Sequence, residues 1–285
     1  MEIFNTWQFN LTGYLICVVA FYQFYKLAVS NAKQDGAATI LLQLIASIAV
    51  LFLAPFFIFK FPADPKFYIL LIGASIFYTL NDRLQTTARK HLQVSVFTIV
   101  NQLTTVFLIL YGLTIFREQF LITKVIGAAL ILLANALLLY KRGKNQPSKY
   151  ILVAVTATIA FATAMSIDIG ISKQFNLPIY IMLTLFIPAI ILLLAEKIKF
   201  AEIKAEYTGE DKKYYLLTGV FWALTIFFSL RSFQFGEVTT IVPLQATNVL
   251  LNVSVAYFAL GERKDGLKKI IAALLVMFGI YLTVI

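Results

Sequence analysis

The chain has 285 residues, of which 60% are hydrophobic and 13% charged, and its net charge is +10. A soluble domain carries roughly 25% charged residues because its surface faces water. The composition therefore excludes a soluble globular protein and predicts an integral membrane protein with the lipid bilayer as its solvent. The positive charge does not indicate nucleic-acid binding, because the basic residues lie in loops between apolar runs, where anionic headgroups attract them.

Ten apolar runs, each long enough for a bilayer-spanning helix, follow one another along the chain. Their approximate limits are 10–30, 37–59, 67–88, 92–115, 122–140, 150–172, 177–195, 214–232, 238–260 and 267–284. The runs are continuous apolar blocks without period-2 alternation, so they predict helices and not the strands of a barrel. The predicted fold class is an all-α integral membrane protein with ten transmembrane helices.

The second half of the chain repeats the first. With a shift of 144 residues, 94–141 aligns on 238–285 without a gap. Two copies of a five-helix unit, residues 1–144 and 145–285, are the simplest explanation. Because five is odd, the copies enter the membrane from opposite sides and form inverted repeats, which are typical of transporters with a site near the midplane.

The last two runs resemble a known family. The segment "FALGERKDGLKKIIAALLVMFGIYLTV" (258–284) is similar to the end of an EamA domain, the five-helix repeat of the drug/metabolite transporter superfamily. In that family a Gly-Glu pair precedes a helix rich in Gly, Ala and Leu. "VTTIVPLQATNVLL" (238–251), with Pro243, resembles the ninth helix of the family. The first copy departs from the pattern, because Arg117 replaces the glycine and Ile99 stands where Pro243 has its counterpart. The resemblance implies a ten-helix transporter fold and leaves the substrate open.

Polar side chains form one stripe on the fourth run and one on the ninth. The stripes comprise Thr98, Asn101, Gln102 and Thr105, and Gln245, Asn248 and Asn252. Amides in hydrocarbon turn inward to find partners, so the stripes predict a substrate cavity that binds a polar solute by hydrogen bonds. The alternative is that they join helices. Tyr78 and Trp222, which match under the shift, would add aromatic walls suited to a small amphipathic or cationic metabolite.

Five ionisable side chains within the runs are candidates for gating or coupling. Such a group costs roughly 2.5 kcal/mol or more at the centre of a membrane helix. Lys26 and Asp168 occupy equivalent positions in the two copies, Asp82 and Arg83 share the depth of Lys26, and Arg231 lies near the depth of Asp168. We expect two alternating pairs, Lys26 with Asp82 and Asp168 with Arg231. The alternatives are interfacial side chains that snorkel to headgroups and static ion pairs.

Glu118 and Glu262 each precede a predicted helix, the fifth and the tenth, where a carboxylate complements the helix dipole. We expect a structural role for both, and a kink near Gln245 from Pro243. The fifth and tenth helices carry small residues that allow close packing. They are expected to be peripheral and to give either a monomer or a homodimer.

The function that these patterns favour is secondary transport of a small polar or amphipathic metabolite, amino-acid-like or cationic. The alternatives are a flippase for lipid or lipid-linked headgroups and, less favoured, a channel or an enzyme. No HExxH, GxSxG or phosphate-cradling glycine loop occurs, so neither an enzyme nor ATP drive is expected, and no cofactor or metal either. Proton coupling through Asp82 or Asp168 and uniport both stay open.

The basic residues are distributed unequally between the two sides of the predicted bundle. Apart from Lys26, 17 Lys and Arg residues fall in the loops after odd-numbered runs and 6 on the other side. Basic loops stay in the cytoplasm. The distribution therefore predicts a cell-membrane protein with both termini outside the cytoplasm, whereas the family resemblance implies the reverse.

Overall fold

The computed structural model describes residues 5–114, 122–139, 149–208, 211–236, 238–245, 247–259 and 266–284, and in these ranges the regular secondary structure is helical throughout. The helices are α1 Trp7–Ser30, α2 Asp35–Leu51, α3 Lys66–His91, α4 Val94–Asn101, α5 Leu103–Thr114, α6 Ile122–Leu139, α7 Lys149–Ile171, α8 Leu177–Ala195, α9 Phe200–Tyr207, α10 Lys212–Phe235, α11 Val238–Gln245, α12 Asn248–Ala259 and α13 Gly266–Val284.

Each predicted run coincides with one helix or with two consecutive helices, and the chain is an all-α multi-pass membrane protein. Within the described ranges, five helical segments are long and apolar enough to cross a bilayer by length and composition: Trp7–Ser30, Asp35–Phe56, Lys149–Gln174, Leu177–Ala195 and Lys212–Phe235. Helix α3 has the length of a span, but its second half carries charged side chains that lower its hydropathy. Helix α9 lies outside the ten runs and was not predicted.

The fourth and ninth predicted spans are each interrupted, although the sequence predicts one helix for each. The first interruption lies at Gln102, whose N–H bonds to the carbonyl of Ile99 in a tight i→i−3 turn (3.1 Å). The second lies at Thr247, between the end of α11 and the start of α12, where the Thr247 N–H bonds to the Leu244 carbonyl in the same way (3.2 Å). Such i→i−3 turns end the regular α-helical ladder. No proline occurs between α4 and α5, so proline is not the cause of the first interruption.

The two halves of the chain pack along each other. Helix α1 lies antiparallel to α10, with Phe9 against Phe228 and Phe24 against Tyr214. Helix α3 lies antiparallel to α7, α2 packs on α8, and α6 packs on α13. At the last contact, a Cβ on Gly279 would come within 2.6 Å of the Gly127 carbonyl, so the two backbones touch.

One end of the bundle, here called the basic face, is where α1, α3 and α8 end and α2, α7 and α10 begin. Three contacts show that these helix ends meet. The Lys26 ammonium binds the Lys90 carbonyl and joins the ends of α1 and α3, and the His91 ring stacks on Tyr150 and joins the end of α3 to the start of α7. The Asn31 amide binds Asp211 and joins the end of α1 to the start of α10. The Arg83–Glu196 ion pair brings the end of α8 to the same place. Helices α1, α2 and α3 therefore run opposite to α7, α8 and α10, respectively.

Candidate functional site: a central cavity between two interrupted helices

A cavity lies between the two halves of the chain and encloses about 1120 Å³ of space, including its opening. Its walls come from α1, α3, α4, α5, α7, α8, α10, α11 and α12. The cavity volume without the open space is about 140 Å³, which is enough for a small molecule.

Six of the seven predicted substrate residues line this cavity: Asn101, Gln102, Gln245, Asn248, Tyr78 and Trp222. The amides of the set flank the two interruptions, so the ends of the broken helices present polar groups to the same space. The seventh, Thr98, is fully buried one turn before Asn101, outside the described lining. Asn252, from the same predicted stripe, instead accepts a hydrogen bond from Gln23 and joins α12 to α1 (3.2 Å).

The amides that flank the interruptions are held in place by neighbouring hydroxyl groups. The Asn101 amide donates to the Tyr22 hydroxyl at 2.8 Å, and the Asn248 amide donates to the Tyr14 hydroxyl at 3.1 Å. Gln245 donates to Ser229 at 3.1 Å. These bonds orient the polar groups before any solute binds, which lowers the entropy lost on binding.

Residues 5–140, which take in α1 to α6, match the EamA-like transporter family. This match identifies an EamA-like domain of the drug/metabolite transporter superfamily in residues 5–140. No curated protein matches the chain.

The EamA region contributes Asp82, a buried carboxylate at the cavity wall. Three side-chain amides donate to it: Gln43 at 2.8 Å, Asn81 at 2.8 Å and Gln85 at 3.0 Å. Buried charges persist only where hydrogen bonds or counter-ions compensate them. Here three amide donors supply that compensation.

The predicted pairing of Lys26 with Asp82 is wrong in this structure. The Lys26 ammonium donates instead to the carbonyls of Arg89 and Lys90, both at 2.8 Å. These carbonyls belong to the last turn of α3, where intrahelical partners end and the helix dipole is negative, so a cation is stabilised there.

Arg83, predicted to share a cluster with Asp82, lies on another side of α3. Its guanidinium bonds to Glu196 at 2.6 Å and lies 3.8 Å from Asp35. Lys90 also reaches Asp35, at 3.0 Å. These ion pairs join α2, α3 and α8 at the basic face, outside the cavity lining.

Asp168, on α7, is the second buried carboxylate of the cavity. The Tyr180 hydroxyl donates to one oxygen at 2.5 Å, and the Tyr78 hydroxyl donates to the other at 2.6 Å. Within the described ranges, no cationic side chain lies at ion-pair distance from it.

The predicted pairing of Asp168 with Arg231 is therefore also wrong in this structure. The Arg231 guanidinium donates to Asn5 at 2.6 Å and lies over the rings of Phe57 and Phe235, at the end of the bundle opposite the basic face. Its partners are an amide and aromatic faces near the membrane surface, where a half-buried cation keeps contact with water.

Arg89 is a cavity residue that sequence reasoning missed. Its guanidinium is 3% exposed and lies 4.1 to 5.0 Å from the centroids of four rings: Phe21, Tyr22, Tyr25 and Phe97. A signal for it existed, because Tyr78, Asp82, Gln85 and Arg89 are spaced i, i+4, i+7 and i+11 and share one face of α3. The four residues together line the cavity.

The same aromatic cluster lies on the side of the cavity toward the basic face, and Phe21, Tyr22 and Trp222 belong to the lining. Trp222 stacks on Phe21 with centroids 5.7 Å apart and lies 5.8 Å from the ring of Tyr25. Beyond it, the Tyr25 hydroxyl bonds to Thr86 at 2.8 Å, and the ion pairs of Arg83 follow. Tyr25, Thr86 and Arg83 are not part of the described lining, so these contacts lie outside the cavity.

Three predicted structural residues add nothing to this site. Glu118 and Glu262 lie outside the described residues, so their predicted role at the helix starts stays a prediction. Pro243 belongs to α11, but its side chain is outside the described part of the chain.

Proposed function

We propose that the chain is a secondary transporter that moves a small polar or amphipathic metabolite, amino-acid-like or cationic, across the cell membrane by alternating access. One observation carries the proposal: two interrupted helices, α4–α5 and α11–α12, meet at one central cavity with amides at both interruptions. In secondary transporters, discontinuous helices of this kind build the substrate site near the membrane midplane.

Two inverted five-span halves, residues 1–144 and 145–285, are part of the proposal. The opposite directions of α1 and α7, of α2 and α8, and of α3 and α10 support it. The packing supports it too. In the two predicted repeats, α1 corresponds to α7, α2 to α8, α3 to α10 and α6 to α13. Exchanging the halves therefore turns the α1–α10 contact into the α7–α3 contact and leaves the α2–α8 and α6–α13 contacts unchanged, and all four contacts are present. A pseudo-two-fold axis in the membrane plane produces this pattern.

The charges at the cavity favour a solute with a cationic group. Asp168 has two hydroxyl donors and Asp82 three amide donors, whereas the cavity lining contains one cation, Arg89. A solute ammonium beside Asp168 would supply the counter-ion that this buried carboxylate lacks among the described residues. We expect Asp168 to bind the amino group of the solute, with Tyr78 and Trp222 against its apolar part.

The length of α3 limits how a zwitterion could bind. Tyr78, which holds Asp168, and Arg89 are eleven residues apart, a rise of roughly 16 Å along the helix. An α-amino acid carries its two charges only a few bonds apart and cannot contact both ends at once. We propose that Asp168 takes the amine first, and that Arg89 contacts an anionic or carbonyl group only when the solute is extended or displaced toward the basic face.

Reconstitution into liposomes tests the transport proposal. Vesicles loaded with a mixture of amines and amino acids should exchange one of them with labelled solute outside, and the exchange should require the protein. Headgroup scrambling without solute exchange would favour the flippase alternative, and ion conductance would favour a channel. Imposing a pH gradient in the same vesicles separates proton coupling from uniport, because only a coupled carrier accumulates solute against its gradient.

Orientation and assembly are part of the same proposal. The basic face is placed in the cytoplasm by the Lys and Arg distribution, which puts both termini outside. A C-terminal reporter that is active only in the cytoplasm should therefore be silent, and a bright reporter would reverse the orientation.

Because α6 and α13 bury their small residues against each other, a homodimer through them would have to use their outer apolar faces.

A further inference from the structure

The connection between α8 and α10 forms a surface helix at the basic face. Its sequence, "EKIKFAEIKAEYTGEDKK" (196–213), contains five lysines and five acidic residues, so it carries no net charge. The sequence alone therefore predicts no preference for a charged partner. Helix α9 lies in its middle and packs on α2 through the buried side chain of Ile203.

The described acidic residues of this connection are used inside the molecule. The Glu206 carboxylate accepts the N–H groups of Lys33 and Gln34, both at 2.8 Å, and the Tyr215 hydroxyl at 3.1 Å. Three others have partners as well: Glu196 with Arg83, Glu202 with the Lys199 N–H, and Asp211 with Asn31. The bonds of Glu206, Glu196 and Asp211 hold the connection to the start of α2, to α3 and to the end of α1, whereas Glu202 stays exposed beside Lys199.

The five lysines of the connection, here called the lysine patch, are exposed. They are Lys197, Lys199, Lys204, Lys212 and Lys213. None of the ion pairs found within the described residues involves them. The ammonium groups of Lys212 and Lys213 lie over the rings of Tyr207 and Tyr214, at 4.7 and 4.9 Å. Among the described residues of this segment, the exposed surface therefore carries five lysines and two acidic residues, Glu196 and Glu202, and is positive on balance.

A large apolar side chain stands in the middle of this positive surface. Phe200 is 76% exposed and lies one turn from Lys204 on α9, so the two share a face of the helix. Surface helices that combine lysines with an exposed aromatic residue lie in the headgroup region of a bilayer. The connection is held at that level, because α8 and α10 are both membrane spans.

We propose that the lysine patch and Phe200 form a binding surface for anionic phospholipid headgroups. The phosphates contact the lysine ammonium groups, and the Phe200 ring inserts among the acyl chains beside them. Lysines near an anionic surface each contribute about 1 kcal/mol, a factor of about five in affinity. Lipid binding at this surface stabilises the packing of α9 on α2, and it does not depend on what the cavity transports.

The test titrates the purified full-length protein in detergent with phosphatidylglycerol or phosphatidylcholine and follows thermal unfolding. The triple variant K197Q/K199Q/K204Q is compared with K60Q/K66Q/K173Q, which removes the same charge from the opposite end of the bundle. We expect phosphatidylglycerol to stabilise the wild type and the control variant at equal concentrations, and the patch variant to need about 100-fold more lipid, a factor of about five for each lysine.

A second measurement locates the contact. Phe200→Trp fluorescence should be quenched more by brominated phosphatidylglycerol than by brominated phosphatidylcholine at equal content in vesicles. Equal stabilisation of the two triple variants by phosphatidylglycerol would overturn the proposal, as would equal quenching by the two lipids. Glycerol phosphate tests a soluble anion as the partner. If it stabilised the wild type as well as the lipid does, the surface would be a soluble-anion site and not a lipid site.

Discussion

Replacing Asp168 with Asn tests whether this carboxylate binds the cationic group of the solute. The substitution keeps the shape of the side chain and removes its charge. An Asn side chain still accepts from one tyrosine through its oxygen and donates to the hydroxyl of the other, so Tyr78 and Tyr180 keep partners. Each hydrogen bond loses the extra strength of a charged acceptor, about 1 kcal/mol. Removing a buried charge that has no counter-ion among the described residues offsets part of this loss, so we expect the free energy of unfolding to fall by less than about 2 kcal/mol in total.

The effect on binding should be larger than the effect on folding. Truncating one partner of a buried, hydrogen-bonded charge pair costs about 2 to 5 kcal/mol, which corresponds to a dissociation constant about 30-fold to several thousand-fold higher. The matched control is Asp64→Asn, because Asp64 pairs with Lys66 at the surface, with side chains 46% and 65% exposed. An exposed pair of this kind contributes about 1 kcal/mol or less, and solute binding should not change.

The assay uses thermal stabilisation by pairs of solutes, each an amine and its N-acetylated form. The wild type and Asp64→Asn should be stabilised by the amine and not by its neutral partner, and Asp168→Asn should lose this preference. If Asp168→Asn bound the amine with unchanged affinity while remaining folded, Asp168 would not be the ammonium site and the electrostatic argument for a cationic solute would be refuted.

Two further substitutions test the packing that frames the cavity. Gly279→Ala places a methyl group 2.6 Å from the Gly127 carbonyl and should lower the free energy of unfolding by about 1 to 3 kcal/mol. The control Gly73→Ala places a methyl group with nothing within 4 Å and should be neutral or slightly stabilising. Equal effects of the two substitutions in a detergent unfolding titration would contradict the close contact. Glu206→Ala should lower the free energy of unfolding by about 2 to 3 kcal/mol in the same titration, because two N–H groups at the start of α2 lose a charged acceptor. The control Glu202→Ala removes one exposed helix cap and should lower it by about 1 kcal/mol. A larger loss in Glu202→Ala would show that the α9 connection is not held through Glu206.

The positions of the helices could be predicted from the sequence, because a helix that spans the bilayer needs a long run of apolar residues. The third run was placed at 67–88 and the helix is Lys66–His91; the seventh was placed at 177–195 and the helix is Leu177–Ala195. The amides that flank the interruptions were also predictable, since an Asn or Gln in a membrane span must turn toward protein or water. The family match covers 5–140 and agrees with the predicted family, although the motifs that suggested the family lie in the second half of the chain, at 238–251 and 258–284.

The partners of the charged residues were not predictable. Matching helix depths suggested a pair of Lys26 with Asp82. In the structure the C-terminal carbonyls of α3 bind Lys26, and the Gln43 amide binds Asp82. These partners carry no net charge, so a search of the sequence for opposite charges does not find them. Arg89 stands in a basic stretch near a helix end, which usually indicates a headgroup anchor. Its inward position depends on aromatic rings from α1 and α4 that converge only in the folded chain.

The interruption of the fourth span was hidden for a similar reason. No glycine or proline marks Gln102, whereas Pro243 predicted a kink near Gln245 in the ninth span. An interruption in the membrane is tolerated where the freed backbone groups meet protein or a water-filled cavity. That condition is set by neighbouring helices and not by the local sequence.

Thiol accessibility tests most directly whether the central cavity opens to one side of the membrane at a time. Cys17 is the only cysteine, so Cys17→Ala provides a background for Asn248→Cys at the cavity and for Leu132→Cys on an exposed apolar face as a control. In oriented vesicles without solute, a membrane-impermeant thiol reagent should label Asn248→Cys only from the side opposite the basic face. A stabilising amine should block that labelling or transfer it to the other side. Labelling from both sides at once, or no more labelling than Leu132→Cys from either side, would contradict alternating access around this cavity.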